Sequence, residues 1–70
     1  MTNSELLKET INESGLKLSF IAEKIGISRD SLYRKINNKT PFNQYEIAAL
    51  CDVLKIVSSK KMDAIFFVSE

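Results

Sequence analysis

The chain has few of the residues on which metal sites and disulfides depend. Its 70 residues include no histidine and a single cysteine, Cys51. Without a second cysteine no internal disulfide can form, and without histidine the usual metal clusters lack their ligands. Because Cys51 lies among the apolar positions of a helical pattern, we expect it to be a small core residue. The sequence therefore predicts neither a metal nor a cofactor.

Long apolar runs are also missing. No run is longer than that from Ala64 to Val68, which is far short of the roughly 20 residues that cross a membrane, and the chain does not open with the basic-then-apolar pattern expected of a signal peptide. Hydrophobic residues make up 44% of the chain and charged residues 27%, as in ordinary folded domains. We expect one folded domain over residues 1–70, without a membrane segment and located in the cytoplasm.

The spacing of apolar residues predicts an all-α fold. Positions 18, 21, 22 and 25, for example, follow the i, i+3, i+4, i+7 pattern of a helix buried along one stripe. The helices are predicted at about residues 5–14, 18–25, 29–37, 44–54 and 60–67. Ser4, Ser28 and Asn43 are expected to cap the first, third and fourth of them, and Ser58 or Ser59 the fifth.

The charges are unevenly distributed along the chain. The net charge is only +1, too small to indicate a nucleic-acid partner by itself. Residues 16–40, however, carry six basic and two acidic residues, whereas the segments before and after them are slightly acidic. The middle of the chain is therefore the part most suited to an anionic partner.

Residues 18–38 have the features of two helices that cross at a tight turn. Ala22 is small enough for close helix packing, and Gly26 permits a sharp turn between the helices. Four residues are expected to fill the angle between them, Ile21, Ile25, Ile27 and Leu32. The sequence thus predicts a helix-turn-helix whose second helix covers about residues 29–37.

The outward face of that second helix carries side chains suited to DNA. An α-helix fits the major groove, where Arg can bind guanine through two hydrogen bonds and Asp can accept one from cytosine. Ser, Lys and Tyr can contact phosphates. The outward residues are Arg29, Asp30, Ser31, Tyr33, Arg34 and Lys35. For Tyr33 a second interpretation stands beside the phosphate contact, in which the ring lies partly against the core beside Leu32.

The segment Ile21-Ala-Glu-Lys-Ile-Gly-Ile-Ser28 resembles the Leu-Ala-x-x-Leu-Gly-Val-Ser signature of the phage Cro and repressor family. The resemblance continues to small phage and prophage regulators of Gram-positive bacteria, through Leu32-Tyr-Arg-Lys-Ile-Asn-Asn-Lys39, Phe42, Glu46-Ile47 and Ile65-Phe-Phe67. It implies a five-helix, lambda-repressor-like DNA-binding domain. Such regulators commonly bind an operator in double-stranded DNA as homodimers.

The resemblance also implies roles for particular residues. It assigns base contacts to Arg29, Asp30 and Arg34. It assigns backbone contacts to Ser28, Ser31, Tyr33 and Lys39, and Lys35 is added to this set for its charge. Many family members begin the second helix with Thr and then Gln, a phosphate contact, whereas Lys17 and Leu18 stand at these positions. Ser19, one residue further along, is the substitute expected for that contact.

The apolar end of the chain has two interpretations. Four consecutive apolar residues cannot all face the core from one helix, and Ile65 and Phe66 are expected to be the buried pair. Phe67 and Val68 then either form part of a symmetric dimer interface or pack against the first helix.

The sequence bears on three classes of function. The favoured one is a Cro-like regulator or small repressor that reads a nearly palindromic operator. The alternative is a protein-interaction module that modulates a partner phage repressor, which the near-neutral charge favours. An enzyme is not expected, because the chain offers neither histidine nor a glycine-rich phosphate loop.

Overall fold

The computed structural model describes residues 1–67, which form five helices and no strand. The helices are α1 (Ser4–Ser14), α2 (Leu18–Ile25), α3 (Arg29–Ile36), α4 (Gln44–Val53) and α5 (Ser59–Phe66). The predicted all-α fold is confirmed, and each predicted boundary lies within one residue of the observed one. Over the described residues, no helix is both long enough and apolar enough to cross a membrane.

The cap of α1 differs from the prediction by one residue. Asn3, not Ser4, has the extended backbone of a cap, and its Oδ1 accepts a hydrogen bond from Leu6 N at 3.1 Å. Ser4 is the first helical residue, and its hydroxyl donates to the carbonyl of Ile36 at the end of α3. The prediction for Ser4 was therefore wrong, because this hydroxyl joins two helices instead of capping one.

The turn between α2 and α3 is closed by backbone hydrogen bonds. Gly26 has φ 82°, and Ile27 N donates to the carbonyl of Ala22 at 3.0 Å. A Cβ atom at residue 26 would meet no other atom within 4 Å, so it is the left-handed backbone, not lack of space, that favours glycine. Ser28 then caps α3, as predicted, by accepting from Ser31 N.

The core lies where all five helices meet. Ala22 is almost fully buried, and Cys51 is buried as predicted. Burial raises the pKa of the Cys51 thiol, which is thereby kept in its neutral form. The buried apolar residues are Leu7, Ile11, Ile21, Ala22, Leu32, Ile36, Leu50, Cys51, Ile65 and Phe66. Leu32 and Ile36 anchor α3 in this core by the side opposite its charged face.

The N-terminal segment is joined to the end of α3. Asn38 has a left-handed backbone with φ 60°, and its Oδ1 accepts from Thr2 N at 3.0 Å. Its amide Nδ2 donates to the carbonyl of Thr2 at 2.7 Å and to the hydroxyl of Ser4 at 3.1 Å. Asn3 N in turn donates to the carbonyl of Ile65 in α5. Residues 2–4 therefore hold the C-terminal end of α3 against two other helices.

Two substitutions of Asn38 separate its side-chain bonds from its backbone conformation. Asn38→Gly loses the bonds to Thr2 and Ser4 but tolerates the left-handed backbone, and we expect a loss of about 1–2 kcal/mol in the free energy of unfolding. Asn38→Ala loses the same bonds and adds backbone strain, so it is expected to cost about 1 kcal/mol more. Urea denaturation measures both, and equal stabilities of the two variants would contradict a contribution from the left-handed conformation.

Candidate nucleic-acid interface

The exposed face of α3 carries three side chains that the protein itself does not use. Arg29, Asp30 and Arg34 are exposed. No side-chain hydrogen bond or ion pair involves them within residues 1–67. Asp30 and Arg34 lie one helical turn apart, a spacing at which an ion pair can form, yet none is present. Their polar groups are thus available to an external partner.

The start of α3 presents further polar groups. Ser28 is exposed, and because its oxygen accepts the capping bond, its hydroxyl hydrogen remains able to donate. Ser31 is half-buried on the same turn. Ser19 is exposed in the first turn of α2, whose cap, Lys17, makes no side-chain capping bond. Ser28 and Ser31 lie at the start of α3, and Ser19 lies in the first turn of α2, where no side chain caps the helical N–H groups.

Tyr33 lies at one edge of this face. Its side chain is 59% exposed and forms one wall of a shallow groove. The groove also includes Leu16 from the turn between α1 and α2, Leu18 at the start of α2, and Ile36 at the end of α3. The ring therefore borders apolar side chains while most of its surface meets solvent, so the two interpretations of Tyr33 are compatible with each other.

Lys35 lies at the opposite edge and is bound within the protein. Its Nζ is 3.0 Å from Glu46 Oε1 and donates to the carbonyl of Pro41 at 3.0 Å. The two charged side chains are only 16% and 11% exposed. The arrangement joins α3 to the loop 37–43 and to the start of α4. Lys35 is therefore oriented away from the exposed charges of α3, unlike the phosphate contact predicted for it.

Glu46 is the centre of this junction. Its Oε1 also accepts from Asn43 N at 3.0 Å, while Asn43 Oδ1 accepts from Glu46 N at 2.8 Å, which forms a reciprocal capping box. Burial by itself raises the pKa of Glu46, but the bonds from Asn43 N and from Lys35, with the positive charge of Lys35, outweigh it and lower that pKa below 4.5. Glu46 is therefore held as a carboxylate between two helices.

The loop after α3 carries one more cation, Lys39. Lys39 is exposed, and its N–H donates to the carbonyl of Arg34 at 2.8 Å, immediately after the left-handed Asn38. The turn therefore places Lys39 beside the end of α3. The predicted base-contact residues lie on α3, and the predicted backbone contacts lie on α3 or at its two ends except Ser19, which belongs to α2. Lys35 is turned toward α4.

Of the two predicted dimer residues, the structure describes Phe67 alone. Phe67 follows α5 and is 56% exposed, while Val68 lies outside the described residues. Sequence reasoning missed the structural role of Glu46, although the spacing Asn43-x-x-Glu46 is the signature of a capping box. The bonds of Thr2 and Ser4 to the end of α3 leave no such local pattern.

The molecule has five helices, a tight turn at Gly26 between α2 and α3, and an exposed, charged face on α3. These features define a helix-turn-helix DNA-binding fold. A sequence model of the Cro/C1-type HTH DNA-binding domain matches residues 6–57. Because the match covers most of the chain, the chain belongs to this family of DNA-binding domains. No curated protein and no solved structure matches it.

The junction of Lys35, Glu46 and Asn43 makes stability depend on pH. Because the pKa of Glu46 is lowered on folding, its contribution is complete above the ordinary value of 4.5 and is lost as the pH falls through the lower native pKa. We expect Glu46→Gln to lose the ion pair, keep an acceptor for Asn43 N, and cost about 1 kcal/mol at pH 7. The cost should shrink as the solution is acidified below pH 4.5.

Urea denaturation of the wild type and of Glu46→Gln between pH 3 and pH 7 measures this difference. Glu46→Ala, which also removes the capping acceptor, is the matched variant and should be the less stable of the two at neutral pH. A difference between the wild type and Glu46→Gln that stays constant over this range would contradict the assigned role of the carboxylate.

Proposed function

We propose that the chain is a sequence-specific transcription regulator of phage or prophage type, either Cro-like or a small repressor. Residues 1–70 act as one DNA-binding domain, and α3 enters the major groove of an operator. Two copies bind a nearly palindromic site, each with α3 in a major groove, with half-sites about one turn of DNA, or roughly 34 Å, apart. Family membership supports DNA binding, and the resemblance to phage regulators supports the finer description.

The observation that carries the proposal is the set of unpaired side chains on α3. Arg29, Asp30 and Arg34 are exposed on a helix whose other side is buried, and they have no partner in residues 1–67. Arg34 is suited to a bidentate contact with guanine, and Asp30 to accepting a hydrogen bond from cytosine. Arg29, in the first turn, is the third candidate for a base contact, because residues near the start of a recognition helix contact base edges.

Phosphate contacts are proposed around this group. Ser28, Ser31 and Ser19 supply hydroxyl donors near the start of α3 and α2, and Lys39 supplies a cation beyond its end. Tyr33 supplies a phenol at the edge of the face. Lys35 is assigned a different part, because its ammonium is held by Glu46 and the carbonyl of Pro41. It positions the loop that carries Lys39.

The near-neutral charge of the whole chain supports one other function, that of a module that modulates a partner phage repressor. The charges of residues 16–40 argue for DNA instead, because six of the ten basic residues lie there. The two hypotheses differ in whether the isolated protein selects a DNA sequence. DNA-binding titrations of the wild type and of Arg34→Ala therefore distinguish them.

Replacement of Arg34 by Ala is expected to weaken operator binding by about 1–3 kcal/mol, because a bidentate contact to a base is lost. Fluorescence anisotropy with the DNA that flanks the gene, and with a scrambled duplex, measures the loss across a salt series. Binding to the scrambled duplex should weaken far less.

Lys60→Ala is the control for Arg34→Ala. It removes a single positive charge from an exposed residue of α5, outside the helix-turn-helix, and should change operator affinity little. Equal weakening on operator and scrambled DNA would make Arg34 a phosphate contact. Failure of the wild type to select any flanking DNA would overturn the proposal in favour of a module that acts on a protein partner.

Asp30→Ala is expected to change specific and nonspecific binding in opposite directions. Loss of an acceptor for cytosine should weaken operator binding by about 1–3 kcal/mol. Loss of a negative charge near the phosphates should strengthen binding to scrambled DNA and make it more sensitive to salt. The same titrations measure both affinities, and a stronger interaction with both DNAs would show that Asp30 does not read a base.

A further inference from the structure

The groove bordered by Tyr33 has the size and the lining of a small-molecule site. Its volume is about 420 Å³, and it is formed by residues of α1, of the following turn, of α2 and of α3. Ile11 and Ile36 line it as buried residues, and Leu16 and Leu18 line it as half-buried ones. Sites for small molecules in proteins are mostly apolar and occupy roughly 300–1,000 Å³.

Two polar side chains of α1 border this apolar surface. Lys8 and Asn12 line the groove, are exposed, and lie one helical turn apart, so that they share a face of α1. Within residues 1–67 neither side chain is engaged in a hydrogen bond or an ion pair. Among the described residues that line the groove, Lys8 alone is charged. The groove therefore combines apolar surface with an ammonium group and an amide that have no partner in this part of the chain.

This combination is complementary to an organic acid. A carboxylate accepts hydrogen bonds from both an ammonium and an amide N–H, and a bond between two charged groups is the stronger kind. An apolar body attached to that carboxylate would remove Leu16 and Leu18 from water. We propose that the groove binds a small carboxylate with an apolar body, whose carboxylate is held by Lys8 and Asn12.

The dimensions of the groove favour a small molecule over a segment of another protein. A stable interface between proteins usually buries at least roughly 1,200 Å² in total. The groove is lined by only eight residues, and its apolar surface is confined to the junction of three helices. A single cation also suits a carboxylate with one negative charge better than a phosphate with two.

Tyr33 connects the groove to the face of α3 that is proposed to contact DNA. Its ring lines the groove, and its phenol is a proposed phosphate contact. A ligand packed against the ring alters the position from which the phenol meets a phosphate, so ligand and operator should oppose each other's binding to an equal extent. This opposition rests on the proposed function, whereas binding in the groove does not.

The first experiment titrates octanoate into the full chain without DNA and follows the backbone amide signals by NMR. We expect saturable shifts at the residues that line the groove, with a dissociation constant on the order of 1 mM for a ligand of this size. Octanol, the uncharged probe, should bind about tenfold more weakly, because the charge-assisted bonds are lost. Absence of saturable octanoate binding, equal affinity for the two probes, or shifts confined to another surface would overturn the proposal.

Variants identify the groups that hold the carboxylate. Lys8→Met removes the ammonium and keeps a long stem, so it should weaken octanoate binding by about tenfold and leave octanol binding unchanged. Leu16→Ser should weaken the binding of both probes. Lys60→Met, which removes a charge from exposed α5, is the control and should bind octanoate like the wild type. The spectra also identify any variant that fails to fold. Unchanged octanoate affinity in Lys8→Met would contradict the assigned carboxylate site.

The connection to DNA is tested by operator titrations with saturating octanoate, against an equal concentration of acetate as the salt control. Octanoate should weaken operator binding of the wild type several-fold, and Lys8→Met should lose this response at the same octanoate concentration. Octanoate that binds in the groove without changing operator affinity would overturn the opposition through Tyr33. A wild type that binds octanoate in the groove but selects no DNA would contradict the proposed function and support the groove as a ligand site.

Discussion

The crossing of α2 and α3 is the constraint on which the rest of the molecule depends. Ala22 brings the helices close, and the left-handed Gly26 lets the chain reverse within a few residues. Leu32 is fully buried, so α3 enters the core by one side only. Because the rotation of α3 is fixed by that buried side, Arg29, Asp30 and Arg34 necessarily point away from the protein. The external face is thus a consequence of the packing.

The far end of α3 is held by polar groups in addition to the buried Ile36. Asn38 binds Thr2 and Ser4, and Lys35 binds Glu46 and the carbonyl of Pro41. Buried apolar contacts alone would leave the rotation of this helix end less defined, whereas hydrogen bonds have preferred directions. The base contacts proposed for α3 require its position to be fixed to well under the width of a groove, and these two junctions restrain its far end.

Local patterns account for what was predictable from the sequence. Apolar periodicity located the five helices, and a turn glycine with a following serine located the helix-turn-helix, because both depend on neighbouring residues. Three features were not predicted: the cap at Asn3, the partner of Lys35, and the left-handed backbone of Lys55. The first depends on Ser4 bonding to Ile36. The second depends on Glu46, eleven residues further along the chain, and such pairings have no short-range signature.

Selection of binding sites from a random duplex library tests directly whether α3 reads a DNA sequence. We expect enrichment of an inverted repeat whose half-sites lie about 10–10.5 base pairs apart, centre to centre. Selection with Arg34→Ala should lose the preference at one position in each half-site. If no motif is enriched after repeated rounds, although the protein is folded, then α3 does not read a DNA sequence.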